Sequence, residues 1–286
     1  MHITEKLVVS ADGTTLYAQA AGDPTKPALV CIHGFAGTSF AFQKQLADAH
    51  LLQHAYVIAY DLRGNGRSDK PEAPASYAGE CCAADFQAVC TAFAVTRPFL
   101  LGWSLGALLV LDVLAHLPPH TLRGAVFSGG PVPTRALHAT YMSDWLAATL
   151  GPLLSADAAT AARAAVAFVD GCFARPREAA SYAERARWLG EIVLAPPATR
   201  VVYEAQTRAR DDGAYLERMR AVPLLVLQGT LDVMVDPPRM KVKLDEVFAG
   251  KKDYEFVWLE GVGHCPAWEA PKEHDEAVVR FIRRYS

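Results

Sequence analysis

The sequence predicts an α/β protein: a mostly parallel sheet with helices on both faces, interrupted once by a helical insertion. Three observations carry this. Short apolar runs alternate with helix-length segments up to about residue 130, the rhythm stops between about Pro131 and Arg220, and it resumes from Pro223. Strands that are apolar throughout and separated by helices belong to a parallel sheet buried on both sides.

The first two runs, Leu7–Ser10 and Thr15–Gln19, flank Asp12-Gly13, a hairpin signal. Four strand-like runs follow, Ala28–His33, Tyr56–Asp61, Phe99–Trp103 and Gly124–Ser128. Between them lie segments expected as helices, Phe40–His50, Ala83–Ala94 and Ser104–His116. The insertion reads as helical, with an alanine-rich patch and prolines such as Pro152, Pro176 and Pro197 punctuating short helices. Strands return at Pro223–Gln228 and Tyr254–Leu259, with helices at Pro238–Phe248 and Pro271–Tyr285. The chain therefore divides into a core, residues 1–130 and 221–286, and a cap of residues 131–220. Long insertions in compact domains are usually functional, so a lid over the site is expected.

Composition narrows the function classes. A chain of 286 residues, 51% hydrophobic and 21% charged, can build its core without disulfides or a structural metal. A net charge of −3 gives no basic footprint for nucleic acid. The most apolar stretch, Leu100–Leu117, is interrupted by Ser104, Asp112 and His116, which argues against a membrane span. The N-terminus lacks a signal-like apolar core, and six cysteines show no C-x-x-C pair. A cytoplasmic protein with reduced core thiols is the expectation. His116 and His120 have a metal-like spacing, but Pro118 and Pro119 prevent the helix that would align them.

The chemistry centres on Gly102-Trp103-Ser104-Leu105-Gly106, between a strand-like and a helix-like segment. A serine on a sharp strand-to-helix turn is pushed outward, and glycines two residues either side leave room for the turn. Serine needs a base, and the base needs an orienting acid. Of nine histidines, His264 in Gly261-Val-Gly-His264 follows a strand at the end where α/β sheets keep their sites. His33 also follows a strand but is read as shaping a loop. His2, His50, His54, His138 and His274 are expected to be solvated. Asp232, directly after the strand ending at Gln228, is the favoured acid, with Asp236 as its rival. The oxyanion donors are expected to be the backbone N–H groups of Leu105 and Phe35.

These motifs resemble the α/β-hydrolase superfamily, in the branch of carboxylesterases, cofactor-free haloperoxidases and acyl-homoserine-lactone lactonases. The resemblance rests on His33-Gly34-Phe35, Asp61-Leu-Arg-Gly-Asn-Gly-Arg-Ser68, the Ser104 elbow, the Asp232 turn and Gly-Val-Gly-His264. It covers the chain except the cap. It implies an eight-stranded, mostly parallel sheet with the cap inserted after the sixth strand. Asp61, Arg63 and Ser68 match a motif regarded as structural. Ala107 departs from the second glycine many relatives carry after Ser-x-Gly. Haloalkane dehalogenases and epoxide hydrolases of this fold use an elbow aspartate, so Ser104 argues against both.

The expected activity is hydrolysis of a small carboxylic ester or lactone through an acyl-enzyme on Ser104, without metal or organic cofactor. Phe35, Trp103, Tyr141, Trp145 and Trp188 are candidate walls of an apolar substrate pocket. Acyl-homoserine-lactone hydrolysis, carbon–carbon bond hydrolysis and perhydrolysis use the same triad. A small-molecule receptor with a slow hydrolase site is the reading from another class. The chain is expected as a monomer or homodimer with neither nucleic-acid nor membrane partner.

Overall fold

The computed structural model describes residues 2–130, 135–196 and 212–286. Eight strands run through them: β1 (Ile3–Val9), β2 (Thr15–Ala21), β3 (Ala28–Ile32), β4 (Tyr56–Tyr60), β5 (Phe99–Trp103), β6 (Gly124–Ser128), β7 (Leu224–Gly229) and β8 (Tyr254–Leu259). They form one sheet in the order β1-β2-β4-β3-β5-β6-β7-β8. Only β2 runs against its neighbours; the pairs from β4 to β8 are parallel. The fold is the α/β-hydrolase fold that the motifs imply.

The central strands are buried on both faces, which is why their sequences are apolar without alternation. Leu29, Cys31, Phe99 and Leu101 pack into one hydrophobic cluster, beneath helix Pro271–Tyr285. Val30, Ile32 and Leu100 point the other way, under helices Gly79–Ala92 and Gly106–His116. From β3 the chain goes to β4 on one side and later to β5 on the other. That reversal opens a crevice at the carboxyl ends of β3 and β5, the place where open α/β sheets bind ligands.

Two helices start or form differently from their sequence pattern. Over Phe40–His50 there are short turns instead, Ser39–Phe42, Gln45–Ala47 and Ala49–Leu52. Side-chain acceptors compete for the backbone there: Asp61 takes the Ser39 N–H at 2.7 Å and Asp48 takes the Leu51 N–H at 2.6 Å. The helix after β5 begins at Gly106, because Ser104 has φ of +54° and cannot be helical.

Between β6 and β7 the described residues form helices Arg135–Ala139, Asp144–Leu153, Ala158–Gly171, Pro176–Ala179, Tyr182–Leu194 and Asp212–Arg220. Residues 131–134 and 197–211 of the expected cap, with Pro131 and Pro197, lie outside the described residues. Leu146, Phe168 and Trp188 from these helices join the same cluster as Leu101 and Trp103 of the sheet. A Met142–Val235 bridge ties them to the loop after β7. Among the described residues no helix is long and apolar enough to cross a membrane.

Candidate active site

The strand-to-helix turn at Ser104 is held by close backbone crossings. A Cβ on Gly102 would lie 2.5 Å from the Gly106 backbone, and one on Gly106 would lie 2.5 Å from the Ile32 carbonyl oxygen. Both positions therefore need glycine for space rather than for an unusual φ. Ser104 itself is left-handed, a conformation that costs a non-glycine residue about 1–3 kcal/mol and persists only where the surroundings fix it. Its N–H donates to the Ser128 carbonyl at 3.1 Å. The hydroxyl is left facing the crevice.

His264 follows β8 and reaches across to that hydroxyl: Nε2 lies 2.8 Å from Ser104 Oγ, and Nδ1 lies 2.8 Å from Asp232 Oδ2. The Trp103 indole N–H donates to the His264 carbonyl at 2.8 Å. Beneath the ring is Gly130, where a Cβ would lie 2.6 Å from His264 Cε1. Asp232 is buried, and its other hydrogen bonds come from the Gln228 amide and the Met234 N–H, both at 2.8 Å. With both carboxylate oxygens occupied, Asp232 fixes the imidazole with its proton on Nδ1. The Nε2 lone pair then faces Ser104 Oγ, the arrangement that lets a histidine take a serine proton.

A further carboxylate steadies the His264 turn. Glu269 accepts the Gly263 and Ala174 N–H groups, each at 2.8 Å, and so joins the turn to the segment after helix Ala158–Gly171. Burial pushes its carboxyl above the ordinary range, against those two backbone donors. Asp236 lies elsewhere: it caps helix Pro237–Val247 by accepting the Arg239 N–H at 2.9 Å.

The loop after β3 supplies the opposite side. His33 is fully buried; its Nδ1–H donates to the Gly34 carbonyl at 2.8 Å and its Nε2 accepts the Leu62 N–H at 3.0 Å. Burial lowers its pKa, which keeps it neutral and suited to that bridging role. Phe35 and Leu105 line the same cavity as Ser104, and their amides have no hydrogen-bond partner among the described residues. This cavity, of about 170 Å³, is lined on the core side by Phe35, Leu105, Gly130, Met234 and Val235 around Ser104 and His264. The segment between β6 and β7 contributes His138, Leu146, Leu150 and Phe168 from its helices and Met142 from the bridge to Val235.

Ser104, His264, Asp232, Phe35 and Leu105 are thus brought together. Four expected pocket walls are not. Trp103 and Trp188 are buried side by side, ring centroids 5.3 Å apart, in a cluster with Phe173, Phe40 and Trp268 behind the site. Tyr141 is fully buried, and Trp145 packs against Gly171. None of these four lines the cavity. Large rings bury the most area where they are packed on every side, and here that is the core. Leu146, Leu150 and Phe168 are not marked in the sequence, since apolar residues at helical spacing carry no sign of the surface they face, and neither is Met142 in the bridge to Val235. His274 is fully buried rather than solvated.

A family model for the alpha/beta hydrolase fold matches residues 27–271. The chain belongs to that family. It is 30% identical to the esterase RhEst1 from Rhodococcus sp. ECU1013, with a TM-score of 0.83 and full coverage of both chains. It is also 30% identical over 141 residues to the AB hydrolase superfamily protein YfhM of Bacillus subtilis, covering 48% of each chain. Epoxide hydrolase 4 of Mus musculus is 29% identical over 110 residues, 38% of this chain and 30% of that one. The chain spans about half or less of the length of these two curated relatives.

Proposed function

We propose that this hydrolase cleaves small, uncharged carboxylic esters or lactones through an acyl-enzyme on Ser104. The observation that carries the reading is the continuous chain of 2.8 Å contacts from Ser104 Oγ through the His264 ring to Asp232. Ser104 attacks the carbonyl as His264 Nε2 takes its proton, and Asp232 stabilises the imidazolium that forms. The Leu105 and Phe35 amides receive the oxyanion. His264 then returns the proton to the leaving alkoxide, and the same nitrogen activates the water that releases the acid. For a lactone the alkoxide stays attached and a single hydroxy acid is released.

The cavity supports an uncharged acyl group, because among the described residues its walls include neither a lysine nor an arginine to hold a carboxylate. The helices between β6 and β7 act as a cap, supplying one wall of the pocket. Similarity to an esterase across the whole chain favours ester cleavage. Epoxide-opening members of this fold use an elbow aspartate, and the serine at position 104 favours acyl transfer over ring opening of that kind.

The test is turnover of p-nitrophenyl esters from acetate to decanoate beside γ-lactones and acyl-homoserine lactones, with Ser104→Ala in parallel. Multiple turnover that falls by roughly 10⁴-fold or more in the variant is the expected result. A variant that keeps wild-type turnover, or a wild type that gives one turnover only, excludes this mechanism.

A further inference from the structure

Behind the site lies a second serine–histidine–aspartate chain that the mechanism above does not use. Ser128 Oγ is 3.2 Å from His274 Nε2, and His274 Nδ1 is 2.7 Å from Asp275 Oδ1. The Gln45 amide donates to Asp275 Oδ1 at 3.1 Å and to the Ala267 carbonyl at 2.8 Å. Ser128, His274 and Gln45 are fully buried and Asp275 is 1% exposed. None of them lines the cavity, so this is no second catalytic centre. Buried polar groups are costly unless hydrogen-bonded, and a buried network whose members bond one another rigidifies the elements it joins.

What they hold is the segment Ser128-Gly129-Gly130 at the end of β6. The Ser128 carbonyl is the acceptor for the N–H of Ser104. A Cβ on Gly129 would lie 2.0 Å from the His264 carbonyl oxygen, and Gly130 backs onto the His264 ring. Three consecutive residues therefore touch both the nucleophile and its base. From the β7 side, Gln228 Oε1 accepts the Gly130 N–H at 2.6 Å and the Leu227 carbonyl accepts the Gly129 N–H at 2.9 Å; from the helix side, the Ser128 hydroxyl supplies a side-chain anchor. With the His274 Nδ1–H donating to the Asp275 carboxylate, the Ser128 hydroxyl donates to Nε2, and the anchor runs through helix Pro271–Tyr285 to Gln45 in the segment after β3.

We propose that Ser128, His274 and Asp275 are positioning residues, which set the Ser104–His264 distance by pinning the end of β6 from below. The inference rests on the hydrolase reading, because it assigns these residues a role in that reaction. Its test uses Ser128→Ala, His274→Asn and the double variant of the full chain, with Ser104 titrated by a p-nitrophenyl phosphonate so that kcat is expressed per reactive site. Misplacement of a reacting group by a fraction of an ångström to 1 Å costs up to about 100-fold, so each variant is expected to lose roughly 10–100-fold in kcat. KM should stay within about twofold, since the substrate walls are untouched. The double variant should be no slower than the slower single one, because both cut the same chain.

A purely structural role would lower the number of titratable sites and leave kcat per site unchanged, and that result overturns the proposal. Should the truncated variants fail to fold, His274→Gln and Ser128→Thr decide. His274→Gln keeps an amide at the Nε2 position but loses the Asp275 contact, and is expected to fall between wild type and a roughly tenfold loss; Ser128→Thr keeps the hydroxyl and should recover most of the rate. Wild-type kcat in His274→Gln overturns the proposal in that case. A wild type that neither takes up the phosphonate nor turns over ester overturns the hydrolase reading and this inference together. A wild type that does both while the variants match it overturns the inference alone.

Discussion

The two walls of the cavity are built on different terms. The core wall is made of strand ends and turns, and nearly every residue there is fixed by backbone geometry. Ser104 is left-handed, Gly102 and Gly106 are pressed against carbonyls and Asp232 has both oxygens occupied. The wall contributed by the insertion is mostly side chains on ordinary helical positions: Leu146, Leu150 and Phe168 touch the cavity because of where their helices lie, and Met142 joins them from the bridge to Val235. Change on the first wall should strike the chemical step, whereas change on the second should alter which substrate enters. A chain of this kind can keep one reaction and vary its substrate.

The largest effect tests the first wall. In Asp232→Asn the amide oxygen stays with the Met234 N–H and the NH2 group faces His264 Nδ1, so the tautomer with its proton on Nε2 is favoured and Nε2 ceases to be a base. Loss of kcat by about 10⁴-fold is expected, with the folded structure retained, as measured by ester turnover and far-UV circular dichroism. An activity within tenfold of wild type would mean that Asp232 is not the orienting acid, and the contrast between the walls would lose its chemical half.

Legibility in the sequence follows the same division. The elbow, the loop after β3 and the turns carrying Asp232 and His264 need glycines, a serine, an acid and a histidine at fixed places, so their residue types announce them. Even there side chains compete with backbone partners: in place of a Phe40–His50 helix there are short turns, with Asp61 accepting the Ser39 N–H just before that span and Asp48 accepting the Leu51 N–H just after it. The sheet was readable from runs such as Phe99–Trp103, whose burial on both faces removes the alternation an exposed strand would show. Pocket walls were not. Trp188 and Phe168 sit on neighbouring inserted helices and both read as apolar aromatics, yet one fills the core against Trp103 and the other faces the cavity. Only the packing angle of the helices separates them. His274 illustrates the converse: a histidine on a charged-looking helix gives no sign that its partner is the hydroxyl of Ser128.

A smaller effect sharpens the comparison from the second wall. The Phe168 ring meets Phe35 edge-on, centroids 5.9 Å apart, and so bounds the cavity between the inserted helices and the loop after β3. Phe168→Ala removes that boundary without touching the triad. Discrimination in apolar pockets runs at about 10-fold or more per methylene, so kcat/KM for octanoate relative to acetate esters should rise roughly tenfold. Turnover of the acetate ester should change little. An unchanged chain-length profile would show that this ring does not set the length, and equal losses on every ester would place Phe168 with the first wall.

The smallest effect concerns the joint between the walls. Glu191, on helix Tyr182–Leu194, accepts the Thr38 hydroxyl at 2.7 Å just beyond the loop that carries Phe35. Burial raises its carboxyl pKa from 4.5 to about 7, outweighing the Thr38 hydrogen bond and Arg187 at 3.4 Å, while Asp61 adds to the rise. The native state then holds this proton more tightly than the unfolded chain. The stability tied to it is full below about pH 4.5 and is lost as pH rises through 7. Glu191→Gln keeps the acceptor and cannot ionise, so the cost at high pH disappears, at most about 3 kcal/mol for a shift of this size. The variant should melt a few degrees above wild type at pH 8.5, and the two should converge at pH 5, as thermal unfolding at the two pH values will read. Equal melting temperatures at pH 8.5 would mean the carboxylate is solvated when charged, and the joint between cap and core would then be looser than the Thr38 contact implies.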